Sequence, residues 1–305
     1  MKKVLTIGEL LIDFICLDKN KNIMDGNRFE KKAGGAPANV AAVISILGGE
    51  SSFLGNVGND PFGLFLVNEL KKFNVDTSLI TFDNNFNTTL AFVSLMDDGE
   101  RDFVFFRGAD GNLKMPDMDI LKRYDIFHFG SATAFLGNEL EKTYFKVFEF
   151  ARKNKKFISF DMNYRQDLWK DTEKLISLSK RIIEYSDFVK FSEEELRLLS
   201  NKDSIEKGIK FVHSIGAKMV AVTLGKEGSI ISDGKDIRKI DSIEIKAVDS
   251  TGAGDAFVGA FLYRIARGEN DYFKIAKFAN EIGGLVCTQK GALTALKSGR
   301  EEDVS

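Results

Sequence analysis

The chain has 305 residues, 44% of them hydrophobic and 29% charged, enough apolar mass to bury a large core in one domain, with or without an accessory piece. A formal net charge of -2 and a pI near 5.9 leave no basic field to hold nucleic acid or an anionic membrane, which favours small-molecule chemistry. The two cysteines, Cys16 and Cys287, lie far apart with no metal-ligand or redox spacing; this excludes a disulfide framework and fits a reducing, cytoplasmic compartment.

Residues 4–8 are a short apolar run closed by glycine, the pattern of a buried parallel strand. Glu9 and Asp13 interrupt the apolar stretch that a signal peptide needs, and no later run is long and apolar enough to span a bilayer. Asp13 falls just beyond the carboxyl end of this strand, where open α/β sheets bind ligands. It is a candidate to hold a hydroxylated substrate, with a surface acid beside a loop as the alternative. Next comes Ala33-Gly34-Gly35-Ala36-Pro37-Ala38-Asn39. Pro37 suits a first helical turn, Gly34 and Gly35 leave room for a ligand against the backbone, and Asn39 offers the donor and acceptor a sugar would use. A glycine-marked helix start with a solvent-facing Asn stays open.

Residues 52–57 and 62–72 continue as strand and helix in a βαβ rhythm. The rhythm then breaks. Residues 88–96 and 101–106 are β-rich runs joined by Asp97-Asp98-Gly99-Glu100, and Asp-Gly between such runs signals a hairpin. With the extended segments before residue 33, this predicts a small β lid over residues 10–33 and 88–107, with Arg107 leading back to a site at the sheet's edge.

Alternation resumes with strand 126–130, helix 139–154, strand 157–161, helix 172–183, strand 188–191, helices 193–200 and 204–215, and strand 219–223. The expected architecture is a doubly wound, mainly parallel α/β sheet flanked by helices, one domain over residues 1–305 with the inserted lid. Strand ends carry polar groups: Asp161, Asn163 and Arg165, then Lys190, Ser192 and Glu195, then Thr223, Gly225 and Gly228. Singly they read as a surface arginine, an edge lysine or a helix-start acid. Jointly they supply what a nucleoside triphosphate and its metal need. His128 and His213 read as structural or surface groups. On helix 272–287, Asn280 faces either an adenine pocket or solvent.

Most chemistry is concentrated in Asp249-Ser250-Thr251-Gly252-Ala253-Gly254-Asp255, followed by the apolar Ala256-Phe257-Val258-Gly259-Ala260-Phe261-Leu262. This is a loop that becomes a core helix. The first N–H groups of a helix lack internal partners and stand at its positive dipole end. Glycines at 252 and 254 would let the N–H groups of Gly252, Ala253 and Gly254 converge on one phosphate oxygen. The plainer alternative is a turn capped by Thr251 or Asp255. Asp255 argues against it: a carboxylate there repels a bound phosphate unless it has a task, such as receiving a proton from an attacking hydroxyl.

Gly34-Gly35-Ala36-Pro37-Ala38-Asn39 and the 249–255 segment resemble the two signatures of the ribokinase-like, or PfkB, carbohydrate kinases, in the right order at opposite ends of the chain. Thr89-Leu90-Ala91-Phe92-Val93, Gly99-Glu100-Arg101-Asp102-Phe103, His128-Phe129-Gly130-Ser131 and Leu168-Trp169 are most similar to the bacterial fructokinases of that family. The resemblance implies ATP and Mg²⁺, Asp255 as base, and Gly252, Ala253 and Gly254 as anion hole. It puts Asp13, Gly34, Gly35, Asn39, Arg107 and Arg165 around the sugar. Lys190, Ser192, Glu195, Thr223, Gly225, Gly228 and Asn280 fall on the ATP side, with Glu195 reaching magnesium through water. It also implies potassium near Asp249 and Thr251 and admits a homodimer through the lid. The implied reaction carries the γ-phosphoryl of ATP to a ketose primary hydroxyl, fructose giving fructose 6-phosphate; another sugar or 2-keto-3-deoxygluconate is the alternative acceptor. Two departures stand out. Ser192-Glu193-Glu194-Glu195 replaces the family's Asn-x-x-Glu, so position 192 offers a hydroxyl and no amide, and Ser250 replaces a threonine.

No Gly-x-x-x-x-Gly-Lys-Ser/Thr occurs, which excludes a P-loop kinase. Gly252-Ala253-Gly254 begins a dinucleotide fingerprint, but Phe257 stands where its third glycine belongs. A non-catalytic sugar-binding regulator on the same fold is the remaining alternative.

Overall fold

The structure, a computed structural model, describes residues 1–95, 101–289, 291, 292 and 296. In chain order it runs β1 (Val4–Ile7), β2 (Leu11–Cys16), β3 (Phe29–Gly34), α1 (Ala36–Ile46), β4 (Ser51–Gly58), α2 (Pro61–Lys72), β5 (Ile80–Asp83), β6 (Leu90–Leu95), β7 (Arg101–Phe106), α3 (Met118–Leu121) and β8 (Ile126–Gly130). It continues with α4 (Asn138–Lys153), β9 (Phe157–Asp161), α5 (Thr172–Ile183), β10 (Phe188–Ser192), α6 (Glu193–Ser200), α7 (Ile205–Ile215), β11 (Met219–Thr223), β12 (Ser229–Ser232), β13 (Ile237–Ile240), α8 (Ala253–Ala266) and α9 (Tyr272–Val286).

The main sheet has nine strands in the order β13-β12-β11-β10-β9-β8-β1-β4-β5. From β1 the chain winds outward through β4 and β5 on one side, then returns to build β8 to β11 on the other. Strand order therefore reverses between β1 and β8, and the crevice at the carboxyl ends of such strands is where open α/β sheets take ligands. The strands from β5 to β11 pair in parallel; β12 and β13 extend the edge antiparallel, two strands the sequence reading missed along with β5. Apolar clusters fill both faces, one built on Phe127, Phe129, Phe135, Tyr144 and Phe160, the other on Val43, Phe188, Phe257 and Phe261.

The lid is a separate four-stranded sheet, β3-β2-β6-β7, formed by the segments expected for it. Its pairing is mixed, since β2 runs parallel to β6 while the other pairs are antiparallel. Phe14 and Phe92 stack at 4.9 Å between ring centroids, and Phe62 of α2 meets Phe14 edge-on, so the lid is joined to the main body through aromatic contact. The expected turn at 97–100 lies outside the described residues.

Helix α8 is fixed to the sheet by one contact that matters for the site. Phe261 stacks on Phe188 of β10 at 4.1 Å with the rings 1° from parallel, a pair worth about 0.5–1.5 kcal/mol beyond area burial. Side chains two apart on a strand share a face, so Lys190 points to the same side as Phe188, under the amino end of α8.

Candidate active site

Two helices begin in the crevice, and neither has a side-chain cap at its start. Helix α8 opens on Gly252 in the left-handed region, φ 79°, and a Cβ there would fall 2.4 Å from the Cβ of Ala292. A Cβ on Gly254 would fall 3.1 Å from Lys190 Nζ. The glycines thus serve close packing beneath the loop as well as openness above it. The N–H of Ala253 donates back to the Ser250 carbonyl at 3.2 Å, which turns one of the three expected amides into the loop.

Asp255 lies in the first turn of α8, 7% exposed. Its Oδ2 accepts from Asn39 Nδ2 at 2.8 Å and its Oδ1 from Asn163 Nδ2 at 3.4 Å. Burial pushes its carboxyl up to about 6, against the lowering effect of the Asn39 hydrogen bond and the Arg165 charge. A carboxylate so poised is ionised at neutral pH and still basic enough to take a hydroxyl proton.

Helix α1 opens on Gly35 at φ 118°, where a Cβ would strike the Glu9 carbonyl oxygen at 2.4 Å. One turn further, Asn39 reaches Asp255, so α1 directly orients the carboxylate of α8. Glu9, read in the sequence only as a break in an apolar run, is a buried part of this site. Its Oε1 accepts from Ala36 N at 3.0 Å and its Oε2 from Thr133 Oγ1 at 3.4 Å. Burial raises its carboxyl to about 7. The signal that could have found it is an acid directly after an apolar strand, at the carboxyl end where ligands bind. Asp13 sits on β2 against β3; its Oδ2 would be 2.1 Å from a Cβ on Gly34, which explains the glycine there.

The two arginines differ. Arg107 donates from Nη2 to the carbonyls of Thr133 at 3.1 Å and Gly137 at 3.4 Å and lies 3.7 Å from Asp110, so it ties the lid to the loop after β8. Arg165 donates to the Tyr164 carbonyl at 3.2 Å, and its charge reaches Glu9 and Asp255. Asp161 and Asn163, expected among the polar strand ends of the crevice, contact Lys190 and Asp255, partners that the sequence does not specify.

On the other side, Lys190 is buried, with Nζ 3.2 Å from Asp161 Oδ1 and 4.0 Å from Glu195 Oε2. Ser192 caps α6: its Oγ accepts from Glu195 N at 3.2 Å while Glu195 Oε2 accepts from Ser192 N at 2.7 Å. Glu195 Oε1 takes the Tyr164 N–H at 2.8 Å, so backbone donors fix both of its oxygens in direction and leave a lone pair on each for a water. Thr223 Oγ donates to the Phe191 carbonyl at 3.3 Å, and Gly225 and Gly228 adopt φ 60° and 90° in the turn that follows. Asn280 does not face solvent. It is buried, and its Nδ2 donates to the carbonyls of Ile240 at 2.9 Å and Asp241 at 3.3 Å, anchoring the chain after β13. Asp249 Oδ1 accepts from Thr251 N and Oγ1, and its Oδ2 from Gly291 N at 2.9 Å, which braces the loop that leads into α8.

Both histidines are structural. His128 is buried against Ser159 at 3.0 Å, its imidazole pushed down to about 3 by desolvation, and His213 bridges the Ala217 carbonyl and Ser232 Oγ. Among the described residues no group of three or more His, Cys, Asp or Glu could hold a metal by itself.

A glycine-opened helix start holding a buried carboxylate, set at the switch point of a doubly wound sheet beneath a β lid, defines a kinase of the ribokinase-like class. The profile of pfkB family carbohydrate kinases matches residues 1–298, and the chain belongs to that family. It is 37% identical to "Probable fructokinase-5" of Arabidopsis thaliana, over 96% of this chain and 94% of the relative. Among solved structures, an uncharacterized sugar kinase of Pyrococcus horikoshii in complex with ATP superposes with a TM-score of 0.85 at 36% identity, covering 95% of this chain and 93% of that one. A fructokinase of Vibrio cholerae O395, in fructose-, ADP- and calcium-bound form, gives a TM-score of 0.83 at 32% identity, covering 97% and 96%. The chain is accordingly a sugar phosphotransferase of the ATP-using kind.

Proposed function

We propose that the chain is a fructokinase, moving the γ-phosphoryl of ATP to a primary hydroxyl of fructose, with Asp255 as the base. The observation that carries this reading is the buried Asp255 carboxylate at the open end of α8, aimed by Asn39 of α1. Phosphoryl transfer passes through a loose transition state, so the work is positioning and charge stabilisation. Asp13, Gly34, Gly35 and Asn39 would hold the sugar, with Arg165 at its rim and Arg107 fixing the lid behind it. Gly252 and Gly254 turn free amides toward the transferring phosphoryl, where a preorganised donor stabilises developing charge. Asp255 takes the hydroxyl proton as the new O–P bond forms, and the lid keeps water from competing. Lys190, Ser192, Glu195, Thr223, Gly225, Gly228 and Asn280 shape the nucleotide side, the last as an anchor of its wall. Magnesium, when bound with ATP, neutralises charge on the phosphates; Asp249 and Thr251 lie where potassium would steady the loop.

Two further readings belong to the same proposal. The lid carries exposed Leu17, Met24 and Phe106, which supports a homodimer through the lid. Two free cysteines support a cytoplasmic setting. The test is a coupled ADP-release assay over fructose, ribose, 2-keto-3-deoxygluconate, tagatose 6-phosphate and adenosine. Fructose should give the highest kcat/KM. A sugar acid in first place would overturn the substrate and give Arg165 a carboxylate to pair, and no turnover at all would favour a sugar-binding regulator.

A further inference from the structure

Beneath the amino end of α8 lies a pair of charges, and one of them, Asp161, has no part in the reaction as described. Strands β9 and β10 place Asp161 and Lys190 directly opposite each other in parallel register, on the face that looks at α8. Both residues are buried, at 1% and 6% exposure. An ammonium under a helix amino end opposes the helix dipole, and a buried ion pair commonly stabilises less than apolar residues of the same volume. Neither choice is what stability alone would select.

The pair makes contact in two directions. Asp161 accepts from Asn163 twice, from the backbone N–H at 3.1 Å and from Nδ2 at 3.4 Å, closing a tight turn that holds Asn163 at φ 41°. The same Nδ2 donates to Asp255 Oδ1 at 3.4 Å. The two carboxylates dictate which end of the amide faces them, since a carboxylate only accepts and the Nδ2 group alone donates. In the other direction, Lys190 Nζ lies 3.1 Å from where a Gly254 Cβ would stand, directly behind the peptide that faces the transferring phosphoryl. Asp161 thus holds both the amide that fixes one oxygen of Asp255 and the cation behind the anion hole.

We infer that Asp161 is a positioning residue for phosphoryl transfer: through Asn163 it fixes the rotamer of Asp255, and through Lys190 it holds positive charge behind Gly254. This rests on Asp255 being the base. The groups facing Asp255 are Asn39 from α1, Asn163 and Arg165 from the segment after β9, Asp161 from β9 and Lys190 from β10. Of these, the Asp161 charge raises the Asp255 carboxyl and the Lys190 and Arg165 charges lower it. Removing the Asp161 charge must therefore move the Asp255 titration to lower pH, and removing the Lys190 charge must move it to higher pH. The opposed shifts report that both charges are felt at Asp255; the positioning role itself is read in kcat at unchanged KM.

The experiment compares Asp161→Asn, Lys190→Met and the double variant with the parent chain. For Asp161→Asn, kcat should fall about 10- to 100-fold while KM for sugar and ATP stays within about threefold, as expected when only transition-state geometry is lost. The acid limb of the kcat profile should move down in pH for Asp161→Asn and up for Lys190→Met. The double variant should lose no more than the worse single one, because the two act as a unit. The Asp255 carboxyl is also titrated directly by ¹³C NMR, which reads the shifts whether or not any sugar is turned over. An active Asp161→Asn variant with the parent's kcat and an unmoved Asp255 titration would overturn the inference. A parent that phosphorylates another sugar but not fructose, with the same loss of kcat in Asp161→Asn, would overturn only the fructokinase reading.

Discussion

The starts of α1 and α8 look alike in sequence, a glycine-rich turn running into an apolar helix, yet the protein treats them in opposite ways. At α1 the first free amide, Ala36 N, is filled from within by Glu9, whose carboxyl is pushed up toward neutrality. At α8 the protein's own carboxylate, Asp255, is turned aside to Asn39 and Asn163, leaving amides for an outside anion. Helices α2, α5, α7 and α9 are capped by Asp60, Asp171, Ser204 and Asp271, whereas α4, like α1 and α8, opens on a glycine without a side-chain cap. An uncapped start is therefore not by itself a site, and α1 and α8 stand apart from α4 by the carboxylates gathered at their starts.

The contrast is broken most severely by Asp255→Ala. Turnover should drop by about 10²-fold or more while ATP binding, followed by calorimetry, is kept or strengthened, since a negative charge leaves the anion site. In the parent chain, kcat/KM should fall as pH drops below about 6, where Asp255 becomes protonated and can no longer accept a proton. A smaller loss is expected for Asn39→Ala, roughly tenfold in kcat, as for a lost orienting hydrogen bond to a charged group. Because that bond lowers the Asp255 carboxyl, the acid limb should move to higher pH, opposite in direction to Asp161→Asn.

The last contrast concerns the α1 side and is read in stability, leaving turnover aside. The Glu9 carboxyl is raised from 4.5 to about 7 on folding, so the folded chain holds this proton more tightly than the unfolded one. Its stabilising contribution is full below pH 4.5 and is lost as pH rises to about 7. Glu9→Gln, which is neutral throughout and keeps an acceptor for Ala36 N, should match the parent in denaturant melts near pH 4.5. Above pH 7 it should be more stable by up to about 3 kcal/mol. Equal stability at both pH values would mean that Glu9 is charged in the folded protein.

The strands at 126–130, 157–161 and 219–223 were legible because a parallel strand buried on both faces is written as a continuous apolar run. β5 and β13 escaped because edge strands are short and partly exposed; the run Ile237–Ile240 is exposed at its first three positions. At the site, the glycine pairs and Asp255 could be read because their spacing is local. The role of Glu9, the Asp255 partner of Asn163 and the carbonyl partners of Asn280 could not, because each is defined by what tertiary folding brings together: Ala36 and Thr133, Asp255, and the chain after β13. Ser192 shows the same limit, since its capping box with Glu195 was overlooked while its missing amide drew notice.

Gly259 has a role that reaches beyond packing. Asn39 meets Asp255, and one turn later Val43 meets Gly259, where a Cβ would fall 2.7 Å from the valine Cβ. The contacts advance by the same step and in the same sense, so α1 and α8 run side by side and parallel. Two parallel helices in such close contact set like poles together, and the Asp255 carboxylate, in the first turn of α8 and held from α1 by Asn39, answers the positive ends of both. Any residue larger than glycine at 259 would part the helices and leave that carboxylate answering only one of them.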